Sequence, residues 1–419
     1  MAYSALSISS QAKSVISSFS GVSPTTTLWV DDNARSGGNG SSASPFNTIQ
    51  AAVNKAAAGT AVMVKAGTYN ENVSLDGKSG TSTKPIWLVS ADGEGSAKIA
   101  ASSSKAAIYA YGEDNLIIKG FTIQGGSEGI KLTQGGNGLS NMTTNIVIED
   151  NRISGSAVDG IKLAQAVNVA VVGNTIANYG REEGIDNVYV RNAIIAYNDI
   201  SDGSKDGNRS GITVKSGSED IKILYNDIGN VLDGVIVGGW SSAAGSTWPR
   251  NLDYEAKDIL VSGNYIHDLA KRAVNVLAGT DSTITGNKFA PNNSYPSVVN
   301  VASDNHGTAS SDIDILNNIV SKAKWLTVQS GSSSGLTNSG NTTTGSFDTG
   351  RAGAVLGVSA AASDEMATTD TALTLFFGTT EAAASGSAAG DTSAASATDP
   401  AHTLTLLGIG DDAGYLAFV

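Results

Sequence analysis

Asp202, Asp206, Arg209 and Lys215 fall within one short stretch, DGSKDGNRSGITVK. Two carboxylates, a guanidinium and an amine in so short a span are the parts of a proton-abstraction site. Taking a proton from the carbon beside a carboxylate requires that carboxylate to be neutralised first, by a divalent cation, Arg or Lys; otherwise the enolate carries too much charge. A base then takes the proton. Lys can serve as base when burial or neighbouring cations lower its pKa. In this arrangement Arg209 holds the substrate carboxylate and Lys215 is the base. Asp202 and Asp206, joined by Glu183 and Asp233 from adjacent repeats, supply the oxygen-rich surroundings that Ca²⁺ prefers. The same charges also fit a plainer role, solvating a Gly-rich loop.

Further charge lies in register with this stretch. Aligned on the segments SEGIKL, VDGIKL, EEGIDN, RSGITV, LDGVIV and KRAVNV, one column reads Glu128, Asp159, Glu183, Ser210, Asp233 and Arg272. A second reads Lys131, Lys162, Asp186, Thr213, Ile236 and Asn275. Lys131 and Lys162 either neutralise Glu128 and Asp159 or line a sugar-binding groove. The insertion from Gly238 to Lys257 carries two of the chain's five Trp, Trp240 and Trp248, and also Arg250. These suit stacking on sugar rings and pairing with an acidic group, or packing of the loop itself. Only three His and no Cys are present. A His-based triad, a zinc cluster and a disulfide framework are therefore excluded or disfavoured. Asp159 with Asp186, or Glu183 with Asp233, leaves a hydrolytic carboxylate pair open.

A repeat has to position these side chains. Asn151, Asn174, Asn198, Asn226, Asn264, Asn287 and Asn318 each lie six residues after an Asn or Asp and two before an apolar residue. An earlier copy begins at Asn115 and has Phe121 in the Asn slot. The eight copies start 30, 23, 24, 28, 38, 23 and 31 residues apart. One such unit cannot bury its own apolar face, so the copies must stack, at the inter-strand spacing of ~4.8 Å. The pattern predicts an all-β right-handed parallel β-helix with inward Ile and Val and an Asn column along one corner. An amphipathic pattern near 45–58, with Phe46, Ile49, Val53 and Ala56 or Ala57 on one face, predicts a short N-terminal helix that caps the open end of the solenoid.

The segment LWVDDNARSGGNGSSASPFNTIQAAVNKAAAGTAVMVKAGTYNENV and the NIVIEDNRI and DGIKL repeats resemble the pectate-lyase-like β-helix superfamily over roughly residues 28–345. That resemblance implies the solenoid fold and leaves activity open, because the superfamily includes lyases, hydrolases, epimerases and noncatalytic proteins. DGSKDGNRSG resembles the calcium loop of family 9 pectate lyases. LDGVIVGGW, at the place of that family's catalytic lysine motif, contains no Lys, so that catalytic residue does not carry over.

The net charge of −13 offers no basic footprint for nucleic acid, and no apolar run is long enough to span a membrane. The chain reads as an N-terminal segment (1–27), the β-helix domain (28–345) and an acidic Ala/Ser/Thr/Gly-rich segment (346–419). After Arg351 come eight acidic residues and no Lys or Arg. This last segment resembles type I secretion signals, and its strand-like islands TALTLFFGTT and HTLTLLGIG also suit self-association. The opening MAYSALSISSQAKSVISSFSG lacks the features of a cleaved signal peptide. Two functions are expected. One is an extracellular or cell-surface lyase or epimerase abstracting the C5 proton of an acidic polysaccharide, with Ca²⁺ as candidate cofactor. The other is a noncatalytic surface or matrix rod.

Overall fold

A computed structural model describes residues 4–134, 142–203, 210–239 and 252–345. The chain divides into two units, residues 1–352 and 353–419, and the second lies outside the described residues. The first is a coil of short strands joined by parallel ladders, and each strand pairs with the equivalent one a coil before and a coil after.

Each coil runs along three faces. The first face includes Ile130–Thr133, Ser210–Lys215, Asp233–Gly238 and Val274–Leu277. The second includes Leu116–Lys119, Thr143–Glu149, Ser218–Leu224 and Ala256–Ser262. Strands Ile161–Val172 and Ile185–Ala196 run through the bend between these two faces, with Gln165 and Tyr189 at φ 55°. The third face is an eleven-stranded sheet of short strands such as Arg152–Ser154 and Thr175–Ala177.

Register is fixed by side-chain stacking. Ile130, Ile161, Ile185, Ile212, Val235, Val274 and Val299 pair one above another and point into a dry core. A slip of one residue would turn this whole set outward. The seven asparagines do line one corner, fully buried. Each Oδ1 accepts the backbone N–H and the Nδ2 of the Asn one coil before: Asn226 Oδ1 accepts both from Asn198 at 2.9 Å, and Asn264 Oδ1 both from Asn226 at 2.9 Å. Asn341 adds an eighth member beyond Asn318. Phe121 fills the Asn slot with its ring in the core and donates only its N–H, to Asn151 Oδ1. Six residues upstream of the ladder, Asn145, Asn168, Asn192, Asp220, Asp258, Asp281 and Asp312 all sit at φ between 48° and 58°. Asn and Asp tolerate that left-handed region better than other side chains, which accounts for the second repeated column.

The capping helix is Ile49–Lys55, shorter than the 45–58 pattern predicts. Residues before it cannot join the helix, because Phe46 exchanges backbone hydrogen bonds with Trp29 and Asp31. Thr48 is the N-cap, and the Glu71 carboxylate accepts the N–H groups of Ile49 and Gln50 at 2.8 and 2.9 Å. Ile49, Ala52 and Val53 close the end of the core.

The N-terminal segment packs against the outside of the solenoid. Its helix Ser10–Val15 and the turn Ser17–Phe19 bring Ile8, Ala12, Ile16 and Phe19 onto an apolar strip of the second face that includes Trp87, Ile117, Val147, Ala170 and Ile194. Glu149 anchors it, accepting from the N–H and hydroxyl of Ser9, and Lys119 pairs with Glu149 at 2.8 Å.

Candidate functional site

Five charged side chains converge on the outer surface of the first face: Asp159, Lys162, Glu183, Asp186 and Lys215. The backbone places them in two ways. Lys131, Lys162, Asp186 and Thr213 occupy one register position, so they stack outward. Lys215 stands at the position of Val188 in the coil below, two residues along the same face. Asp159 and Glu183 lie just before their strands, each followed by a glycine. Those glycines, Gly160 and Gly184, press against the wall. A Cβ on either would meet the next glycine's carbonyl oxygen at 2.6 Å and an inward Ile methyl at 2.4 or 2.7 Å. The repeated Asp/Glu-Gly-Ile thus holds each carboxylate against the coil and aims it at the lysine column.

Lys162 lies 3.4 Å from Asp159 and bonds Asp186 more closely still. Lys215 lies 3.0 Å from both Glu183 and Asp186. The carboxylates are buried, while Lys162 and Lys215 keep 22% and 20% of their side chains open to solvent. The cluster is a buried acidic floor covered by two partly exposed lysines whose ammonium groups bond the acids beneath them.

Electrostatics separate the three acids. Burial and the neighbouring Asp186 charge push Glu183 up to about 8, against a pull from Lys215. Burial and Asp186 likewise raise Asp159, to about 6. Burial also acts on Asp186, but Lys215 and Lys162 outweigh it and hold Asp186 below the usual carboxylate range. Burial would lower both lysines; the carboxylates around them override it and hold both above the usual lysine value. Glu183 Oε2 is buried without a hydrogen-bond partner. A proton on that carboxyl fits both the burial and the neighbouring negative charge.

One carboxylate oxygen each from Asp159, Glu182, Glu183 and Asp186 lies within 4.8 Å of the others. The oxygen set matches a hard divalent cation in ligand type. Lys162 and Lys215, however, already place two positive charges against three of the four acids.

Of the residues the sequence singles out, Asp159, Lys162, Glu183, Asp186 and Lys215 meet here. Lys131 lies one coil away from Lys162 and pairs with Glu128 at 2.7 Å. Asp233 is buried beyond Ser210 and accepts the Arg272 N–H at 3.0 Å; burial raises its pKa. Asp202 sits at φ 55° past the third-face strand Asp199–Ser201, where Asn230 Nδ2 donates to it. Asp206, Arg209, Trp240, Trp248 and Arg250 lie outside the described residues. Asp159 and Asp186, which the sequence offers as a carboxylate pair, both stand in the cluster and share Lys162, with Glu182 beside them. Asp186 shows as a lone acid in a lysine-bearing outward column; its two-lysine contact depends on side-chain geometry that the pattern does not carry.

A family model described as a right handed beta helix region matches residues 97–247. The fold is a right-handed parallel β-helix. The alginate lyase from Paenibacillus sp. str. FPU-7 superposes with a TM-score of 0.53 at 17% identity, covering 75% of this chain and all of that one. The Dettilon tailspike protein superposes with a TM-score of 0.51 at 17% identity, covering 75% of this chain and 66% of the other. At these identities the likeness is one of fold. The uncharacterized protein YwoF of Bacillus subtilis (strain 168) is 34% identical over 134 residues, 30% of this chain, and the chain spans 28% of that relative's length. No helix among the described residues is long and apolar enough to cross a membrane.

Proposed function

We propose that the first face binds an acidic polysaccharide and abstracts the C5 proton of a uronate unit, as a lyase or epimerase does. The observation that carries this is the pairing of two partly exposed lysines, Lys162 and Lys215, with a carboxyl of raised pKa, Glu183, 3.0 Å from Lys215. The ammonium groups neutralise the substrate carboxylate and stabilise the charge that builds on it as the proton leaves. Glu183 takes the proton once Lys215 turns from its 3.0 Å contact to the substrate carboxylate and uncovers the carboxyl. Its pKa near neutrality makes it a stronger base than an ordinary carboxylate while leaving part of it ionised. Lys215 stands in the sequence pattern as the base; held protonated by Asp186 and Glu183, it serves here as the neutralising cation. In the lyase course the C5–H bond and the C4–O bond break, a C4–C5 double bond forms, and the proton on Glu183 passes to the leaving oxygen. In the epimerase course solvent water delivers a proton to C5 from the opposite side, and the proton on Glu183 is released to solvent.

Ca²⁺ is not required on this reading. The two lysines fill the electrostatic role of a divalent cation among Asp159, Glu183 and Asp186, and their charges would repel one placed beside them. The protein acts outside the cell or at its surface, and the acidic segment 346–419 serves export or self-association. A second reading keeps the solenoid as a noncatalytic rod; the Lys131–Glu128 and Lys162–Asp159 pairs favour it, since both are what simple neutralisation of the acid column requires.

The test is incubation of the full chain with a panel of uronate polymers in EDTA, following ultraviolet absorbance of unsaturated product and solvent-hydrogen exchange at C5. Product or exchange in EDTA, lost in Glu183→Gln, supports the proposal. Activity that appears only with added Ca²⁺ removes the metal-free assignment, and a binding-only result across the panel favours the rod.

A further inference from the structure

We infer that the same face carries a second, remote carbohydrate subsite at Tyr109 and Tyr111, which anchors an acidic chain lying along the solenoid axis. A cleft of about 300 Å³ opens there, lined by Asp76, Lys105, Tyr109, Tyr111, Glu128 and Lys131 among others. Tyr111 is 46% exposed, one of only two large hydrophobic side chains so open among the described residues. Its ring lies 5.9 Å from that of Tyr109, at 56°, so the pair forms an angled aromatic wall. Lys105 Nζ lies 5.3 Å from the Tyr109 ring centroid and donates to its hydroxyl at 3.2 Å. Lys131, a quarter exposed, stands on the other side with Glu128. An aromatic surface for the apolar face of a sugar ring, with Lys105 beside it for the carboxylate and the Lys131–Glu128 pair and Asp76 for the hydroxyls, is chemistry that suits a uronate unit. The Asp76 carboxylate holds the backbone between coils by accepting the Tyr111 N–H at 3.0 Å.

Register places this cleft on the line of the cluster. Tyr109 pairs with Lys131, Lys131 with Lys162 and Lys162 with Asp186. Tyr111 pairs with Thr133, then follow Ala164, Val188 and Lys215. Four coil steps separate Tyr111 from Lys215, roughly 19 Å along the axis at the ~4.8 Å strand spacing. Taking one uronate unit per ~4.8 Å coil step, a chain of about five units reaches from the tyrosines to the reacting position. The subsite rests on the uronate reading of the cluster, and it turns that reading into a length requirement. Short oligomers fill only one end, while longer ones engage both at once and gain from the connection.

The test is calorimetric titration of the full chain with oligouronates of two to eight units, in parent, Tyr111→Ala and Lys105→Met. In the parent, affinity should climb to about five units and then level off. Each substitution should shrink the ratio of long-chain to short-chain affinity, by about 3- to 10-fold for the tyrosine. The Lys105 variant keeps both rings and guards against a folding defect in the other. Unchanged ratios in both variants, with Glu183-dependent turnover intact, overturn the subsite and leave the proposed reaction standing. A length dependence lost in both variants, with no turnover in the parent, supports the subsite and removes the reaction. A parent that binds no oligouronate of any length overturns both.

Discussion

Glu183 is the residue on which the chemistry turns. Its folded pKa is raised from the ordinary 4.5 to about 8. As a base it must be ionised, so turnover should rise about tenfold per pH unit below pH 8 and flatten above it. Stability moves the other way. Between about 4.5 and 8 the folded chain keeps a proton that the unfolded chain has lost, so this group lowers stability progressively across that window and not below it. Glu183→Gln should therefore gain melting temperature relative to the parent as pH rises from 5 to 8, while losing roughly 10²–10⁴-fold in turnover. A parallel pair of melting curves would contradict the raised pKa. Lys162 has the opposite character. Its removal in Lys162→Met leaves buried Asp159 without its ammonium partner and Asp186 with Lys215 alone, and should cost about 3–5 kcal/mol in denaturant unfolding. The double variant Lys162→Met/Asp159→Asn should recover part of that loss, since the stranded charge is gone. The outward column with its lysines was legible in the sequence. The division of three acids into one low and two raised was not, because it depends on burial and on which oxygen each ammonium reaches.

At the scale of elements, the coil corners are set by asparagines and the site face by glycines. Asn226→Ala in mid-ladder removes the acceptor of the Asn198 N–H and Nδ2 and the donor to the Ile195 carbonyl. Groups left unpaired in a dry corner should cost about 3 kcal/mol by equilibrium unfolding, and a change under about 1 kcal/mol would show that water replaces the side chain. The Asn column was plain in the sequence because stacked identical residues leave a period. The capping helix was legible in type but not in start, since Phe46 is claimed by strand pairing with Trp29 and Asp31. The N-terminal segment was read only as a segment. Its spacing Ile8, Ala12, Ile16, Phe19 is helical, yet six helical residues give a weak signal, and the apolar strip it covers is assembled from residues of several coils. Glu149→Ala should loosen this segment, seen as faster proteolysis within residues 5–22 with the solenoid intact; equal cleavage rates would show that the apolar contacts alone hold it.

For the whole molecule, stacking converts sequence distance into a continuous strip. Tyr111 and Lys215 are far apart along the chain and four coils apart in space. Insertions fall between strands, so the faces stay regular while loops vary, which is why the unequal repeat spacings left the fold legible. What the repeat does not encode is which of the outward charges work on a ligand. That depends on the exposure left to Lys162 and Lys215 once their acids are buried. The central claim is that these ammonium groups and Glu183 labilise a uronate C5 proton without a metal. Proton magnetic resonance of a uronate polymer panel in D₂O with EDTA tests it most directly. The expected result is loss of the C5 proton signal, with or without a new olefinic signal, in the parent and not in Glu183→Gln. C5 protons left intact on every polymer, or chains shortened with those protons still in place, would contradict it.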